Sequence, residues 1–505
     1  MGKITHMFVL MLENRSFDHM LSFSGLPGVS EPPPHFHFSP GATDQLADDP
    51  NHEFENVKNQ IHGGLMDGFS ADSGPETMKG FDETEVPVLV QLARDNLYFD
   101  NWFSSMPGPT WPNRLFAHCG SSGGLDNSLG SIDAKNAVTN PGYCLNFENG
   151  HIFDRLTSKG VDWRIYHHHY GAFNFDYPQA LCLKGMVDKR NDRKFFRPFS
   201  EFASDVAKGD LAGYTFIEPK YGLPSYRAGN SQHPIGTISL GEILIRDVYR
   251  AIFGQSVGDN SALLITWDEH GGFFDHVNPP AATSPGDKPL NQARAKNPQN
   301  YSFDHFGIRV PAVLISPWLK AGLGSQVFGN VQFDHSSIVR ALRSMFALGG
   351  QLTNRDGASP DWNSAILPKP RKLNLKLPTV AQPRLRSTEK SFKQIAASGA
   401  PSGNLLGTCQ IAIDIDWHTA ERLDSPPLIV SEFYDRLAAA HRILGDSQNK
   451  VQGAELANAH LTIIEYIDAV SRRDMKVRAS FQKSSKGLAR KKAATRKRKR
   501  KKKTR

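Results

Sequence analysis

Cysteine is scarce in this chain. Cys119, Cys144, Cys182 and Cys409 are the four in 505 residues, and no CxxC or Cys/His spacing points to zinc. Free thiols in a reducing compartment are expected; in an exported protein Cys144 and Cys182 would be the pair to join. The N-terminal apolar run, Met7 to Leu12, is too short to span a membrane. Lys3 is the only early basic residue and Glu13 follows the run at once, so it is not a signal peptide. As the sequence stands the expected address is cytoplasmic, and extracytoplasmic if a leader is missing. GxxxxGK[ST], GxGxxG and HExxH motifs are absent, which argues against nucleoside triphosphatases, dinucleotide-binding dehydrogenases and zincins. Acids are absent from Lys483 to Arg505, where 14 Lys and Arg stand; elsewhere 45 basic residues face 51 acidic ones. The formal charge of +8 therefore belongs to the tail. The body is mildly acidic and offers no basic surface for nucleic acid.

Two short apolar runs end abruptly on polar residues. Met7–Leu12 stops on Glu13-Asn14, and Ala262–Trp267 stops on Asp268-Glu269-His270. Runs of this length bounded by polar residues read as buried strands. Ligands of open α/β sheets bind outside the carboxyl ends of such strands. Taken singly, Glu13 and Asp268 would read as helix caps. Two matching strand ends favour an oxygen-rich site for a divalent cation, held by Glu13, Asn14, Asp268 and Glu269. Oxygen ligands suit Mg, Ca or Mn, with Zn also admissible. Close carboxylates repel one another and resist desolvation, and a cation removes that cost.

Thr110 follows Gly108-Pro109 and precedes Pro112, which fits the first turn of a helix. On that segment alone it reads as an N-cap threonine. A helix N-terminus also favours a phosphate or a developing oxyanion, and a metal on the threonine oxygen would make it a nucleophile. Among the 19 histidines, many in loops, His52 and His233 are the favoured candidates for phosphate binding and proton transfer. His167–His169 is a weaker candidate.

Helical and strand patterns alternate along the first 350 residues, which predicts an α/β sandwich. Helices are expected over 85–96, from Pro112, over 152–159, 239–253 and 336–346. Further strands are expected over 162–166, 214–219 and 311–316, and a short strand or extended segment over 99–103. Residues 26–80 are rich in Pro, Gly, Asp and His without periodicity, the mark of a site-lining or disordered stretch. Three parts follow: a core over 1–360, a connector with two packed helices (427–445 and 452–473) over 361–477, and a disordered basic tail over 478–505.

Together the motifs resemble those of the bacterial phospholipase C and acid phosphatase superfamily of phosphoesterases. The matching segments are ENRSFDH (Glu13–His19), GPTWPNR (Gly108–Arg114) and TWDEHGGFFDHVNPP (Thr266–Pro280). GIRVPAVLISPW (Gly307–Trp318) and FDHSSIVR (Phe333–Arg340) also match, in the family's order. The resemblance implies an alkaline-phosphatase-like α/β/α sandwich with a central mixed, mostly parallel sheet. It implies metal-dependent phosphoester hydrolysis with Thr110 as nucleophile and metal ligand, and His52 and His233 on the phosphate or leaving group. Threonine within GPTWPNR looks like the phospholipase C branch, which cleaves glycerophospholipids to diacylglycerol and a phosphorylated head group. A broad acid phosphatase, a sulfatase-like enzyme and a non-catalytic binding protein are the alternatives; the missing C-x-P-x-R motif argues against the sulfatase. The twin-arginine leader and C-terminal β-rich modules of other members are missing, and the basic tail is not a family feature. Residues 483–505 would contact anionic membrane or nucleic acid at their surface.

Overall fold

The computed structural model describes residues 3–128, 145–168, 175–223, 225–226, 228–290, 300–383, 402–445, 455 and 457–479. Cys144, His169 and residues 480–505 fall outside them, and so do the expectations placed on those residues; residues 478 and 479, placed in the disordered tail, instead continue a helix.

Among the described residues ten strands form: β1 (His6–Leu12), β2 (Ser39–Pro40), β3 (Lys79–Gly80), β4 (Leu97–Tyr98) and β5 (Trp163–His167), then β6 (Phe196–Pro198), β7 (Tyr214–Ile217), β8 (Ser261–Trp267), β9 (Ala312–Ile315) and β10 (Gly322–Leu323). β2 and β3 pair with each other; the other eight form one sheet in the order β10-β4-β9-β8-β1-β7-β5-β6. All its ladders are parallel except those of β9, which runs against β4 and β8. The expected α/β sandwich with a mixed, mostly parallel sheet is therefore what the chain forms.

β1 is apolar without alternation because both its faces are covered. Met7 to Leu12 are all buried. Phe8 lies beside Thr215 in register, and Val9 beside Phe216. Successive residues point to opposite faces. Phe8 packs edge-on against Phe202 of the Phe202–Ala207 helix, whereas Phe216 packs against His118 of the Thr110–Cys119 helix. The two helical layers thus sit on opposite sides. The Ile238–Phe253 and Pro87–Asp95 helices lie with the first, and the Ser336–Phe346 helix with the second.

Three sequence expectations change. The 99–103 segment is not a strand; β4 ends at Tyr98, and Trp102 and Phe103 make only isolated bridges. Residues 26–80 are ordered, with a helix at Phe54–Ile61. Most notably, Ser402–Leu423 is a helix in the 361–477 part, where only the 427–445 and 452–473 helices were expected. It is buried on every side from Leu405 to Asp416, so it has no polar stripe. Its Ile411-Ala412-Ile413-Asp414-Ile415-Asp416 run alternates like a strand. Trp111 of the Thr110–Cys119 helix lies so close to Gly407 that a Cβ there would collide with the indole. Among the described residues no helix is long and apolar enough to cross a membrane.

Candidate active site

The register of β1 and β8 brings the two polar pairs together. Leu12 lies beside Trp267, and the ladder continues past both strands: Asp268 N–H donates to Leu12 O (3.2 Å) and Arg15 N–H to Glu269 O (2.9 Å). Asn14 sits at φ +60°. Its backbone N–H donates to Asp268 Oδ1 (2.9 Å), its Nδ2 donates to Glu269 Oε1, and its Oδ1 is buried without a hydrogen-bond partner. Gly271, at φ +66°, closes the turn after Glu269; a Cβ there would collide with Asn14 O, so only glycine fits. Its N–H donates to Glu269 Oε2 (2.7 Å).

Glu13, Asp268 and Glu269 are fully buried. Burial, then the neighbouring Asp268, holds the Glu13 carboxyl well above the usual carboxylate range. Burial also raises Asp268, against Arg114, with Glu269 adding to the rise. Such a set is short of positive charge.

Thr110 opens the Thr110–Cys119 helix, and its Oγ1 is buried without a hydrogen-bond partner. Asn113 fixes the turn before it. Its Nδ2 donates to Met106 O (3.2 Å), Gly108 O (3.0 Å) and Pro109 O (3.1 Å), and its Oδ1 accepts from Met106 N–H (3.1 Å). One turn along, Arg114 ties the helix to the sheet edge. Nε donates to Asp268 Oδ2 (2.9 Å), Nη2 to Met11 O (3.1 Å) and Leu12 O (3.0 Å), and Nη1 to Tyr221 OH (3.1 Å). Glu218, which follows β7, accepts from Tyr221 OH and stands 3.5 Å from Arg114. The helix N-terminus is thereby anchored to the ends of β1 and β8.

His52 and His233 face each other, with ring centroids 6.4 Å apart. His52 Nδ1–H donates to Pro50 O (2.7 Å), which leaves Nε2 as its reactive nitrogen. Burial would lower its pKa, but Glu269, Asp49 and Glu53 outweigh that and raise it to about 9. His233 is fully buried and stacked on Tyr226 at 3.8 Å, and neither ring nitrogen has a hydrogen-bond partner. Burial, with His52 and Arg15 nearby, holds it neutral. Asp49 Oδ2 lies 3.6 Å from His233 Nε2; burial raises its pKa to about 7. His335 Nε2–H donates to Asp268 O (2.6 Å), bracing the second pair from the other side. His167 ends β5 and packs on Phe196, and His168 packs on Phe199.

The structure thus gathers Glu13, Asn14, Asp268 and Glu269, sets the Thr110 helix against them through Arg114, and places the electrostatic field of Glu269 on His52. Sequence reasoning passed over Asn113, Arg114, Asp49, Glu218 and Tyr221. Glu218 carried the signal used for Glu13, an acid directly after an apolar strand. Arg114 and Asn113 stood in the GPTWPNR motif, but their partners were not readable because they depend on how the helix is set.

The same motifs build a second cluster. Among the described residues, Asp18, Asp275 and His276 have ligand-type atoms all within 4.8 Å of one another. This group is already satisfied by protein. Arg309 Nη2 donates to Asp18 Oδ1 (3.0 Å) and Nε to Asp275 Oδ1 (2.9 Å), while Asp18 Oδ2 is 2.6 Å from His276 Nδ1. Arg309 supplies the positive charge that a cation would bring. The Glu13–Asp268 set has unpartnered oxygens at Asn14 and Thr110 and raised carboxyls, and these fit a divalent ion.

Arg114 thus ties a buried acidic strand edge to the helix that Thr110 opens. The family model of the Phosphoesterase family matches residues 4–349, and the chain belongs to that family. It is a phosphoric ester hydrolase. It is 33% identical over 424 residues to non-specific phospholipase C6 of Arabidopsis thaliana, covering 75% of this chain and 76% of the relative. It is 27% identical to phospholipase C B of Mycobacterium tuberculosis, over 76% of this chain and 82% of the relative. Non-hemolytic phospholipase C of Pseudomonas aeruginosa shares 25% identity over 68% of this chain and 54% of the relative. Among solved structures, a protein in the alkaline phosphatase superfamily from Vibrio parahaemolyticus aligns at 11% identity over 71% of each chain, with a TM-score of 0.32.

Proposed function

We propose that this chain is a phospholipase C that cleaves glycerophospholipids to diacylglycerol and a phosphorylated head group, with Thr110 as nucleophile. The observation that carries the reading is the Thr110 hydroxyl, buried and unpartnered at a helix N-terminus that Arg114 ties to Asp268. A buried hydroxyl without a partner is costly unless a ligand supplies one. The phospholipase C names of the relatives support the choice of ester.

Glu13, Asn14, Asp268 and Glu269, with Thr110, would hold one or more divalent ions. When bound, the cation neutralises the carboxylates and lowers the pKa of the threonine hydroxyl. The chain's own residues do the rest. Thr110, its hydroxyl proton already lost to solvent, attacks phosphorus through Oγ1, its backbone setting at the helix N-terminus favours the incoming negative charge, and the oxygen of diacylglycerol leaves. His52 delivers a proton from Nε2 to that oxygen. His233 donates a hydrogen bond to a phosphoryl oxygen. Water then releases the head-group phosphate from Thr110, with His52 taking back the proton.

The test is a panel of phosphatidylcholine, phosphatidylethanolamine, sphingomyelin and simple phosphomonoesters, each with Mg, Ca, Mn and Zn. Diglyceride release is expected. Release of phosphate from monoesters alone would replace the reading with a phosphatase.

A further inference from the structure

We propose that Gln232 is a positioning residue that presents the His233 imidazole to the phosphoryl group; this rests on the role given to His233 above. The His233 ring makes no hydrogen bond of its own, so its aim is set by stacking on Tyr226 and by the backbone that carries it. That backbone is in an uncommon state. Gln232 sits at φ +69°, a conformation that a side-chain-bearing residue keeps only when its surroundings impose it.

The surroundings do impose it. Gln232 is buried, its Nε2 donates to Ile238 O (3.1 Å), and its Oε1 accepts from Trp267 Nε1 (3.0 Å). Its carbonyl accepts from Arg15 Nε (2.8 Å), and the carbonyl of His233 accepts from Arg15 Nη2 (3.5 Å). Gly241 of the Ile238–Phe253 helix leaves the room: a Cβ there would collide with the Gln232 side chain. Just upstream, Glu13 N–H donates to Ser231 O (2.8 Å). The clamping residues are neighbours of the acidic pairs in sequence. Arg15 follows Asn14, and Trp267 precedes Asp268. The strand ends that gather the carboxylates therefore also hold the peptide that aims His233, so the two halves of the site keep one spacing.

The experiment is a double-mutant cycle with His233→Ala. Gln232→Gly accepts the positive φ and removes both side-chain bonds. In the wild-type background it is expected to lower kcat on p-nitrophenylphosphorylcholine by about tenfold to a hundredfold, the scale of a misplaced catalytic group. KM is expected to stay within about twofold, with bound metal unchanged. In the His233→Ala background the same substitution is expected to cost nothing further. Trp267→Phe, which keeps an aromatic ring and removes the donor, should repeat the pattern with a smaller loss and decides the matter if the glycine variant does not fold. The same cycles read on the Kd for inorganic phosphate cover a His233→Ala enzyme too slow to assay. Equal losses in both backgrounds, or a loss confined to metal content, would overturn the proposal. Near-full activity of His233→Ala would instead overturn the role of His233 itself.

Discussion

The motifs ENRSFDH and TWDEHGGFFDHVNPP each send acids to two places. Glu13 and Asp268 go to one, Asp18 and Asp275 to the other, and all four are buried. Around Asp18 and Asp275 the balance of charge is closed. Arg309 bonds both carboxylates, His276 bonds Asp18, and backbone N–H groups of His276 and Val277 complete the set. Around Glu13 and Asp268 it stays open. Arg114 reaches Asp268 and leans toward Glu218, and the Glu13 carboxyl is left with a strongly raised proton affinity. Crowding of acids alone therefore does not mark a cation site. The mark is acids whose neutralisation the protein leaves incomplete beside unpartnered oxygens.

That contrast breaks first at the nucleophile. Thr110→Ala should lower turnover by about a thousandfold or more while leaving the melting temperature near wild type; retention of most activity would end the covalent mechanism. The closed cluster should instead fail in stability. Arg309→Met leaves two buried carboxylates without their cation, and urea unfolding should show a loss of about 3–5 kcal/mol. An unchanged midpoint would mean that Arg309 does not hold the cluster. The open cluster should respond to metal: a divalent ion at about 100 times its Kd should stabilise the protein by about 2.7 kcal/mol, and Asp268→Asn should abolish most of that gain. A chelator-insensitive enzyme with no thermal shift would remove the metal.

The smallest effect is one of pH. The folded pKa of Glu13 is raised above its ordinary 4.5, so the metal-free fold binds its proton more tightly than the unfolded chain does. Its stabilising contribution is present below about pH 4.5 and is lost as pH rises through the raised value, at about 1.4 kcal/mol for each pH unit between the two. Glu13→Gln should flatten that slope in chelated protein, seen as a higher melting temperature than wild type at neutral pH. An unchanged slope would show that Glu13 is already neutralised by protein.

The strand ends were legible in the sequence because their signal is local: an apolar run that stops on a carboxylate. Thr110 and the two histidines drew notice, with the roles weighed for them, from residue type and place, and the family motifs chose the reaction. The closing role of Arg309 was not legible, since an arginine before Val310-Pro311 gives no hint of lying against Asp18, almost three hundred positions earlier. The Ser402–Leu423 helix was missed for the opposite reason. Amphipathic periodicity reports a boundary with water, and a helix buried all round has none.

The place of β1 sets a timetable for the chain's birth. It precedes the other described strands, and its neighbours, β7 and β8, are encoded roughly two hundred to two hundred and fifty residues later. At the ribosome's pace of about 5–20 residues per second, Met7–Leu12 waits on the order of ten seconds or more before either edge is paired. During that interval it is an open, wholly apolar strand, the kind of segment that sticks to its own copies. Yield of this enzyme in a host cell should therefore follow the supply of chaperones that bind extended apolar segments, more closely than it follows the stability of the finished fold.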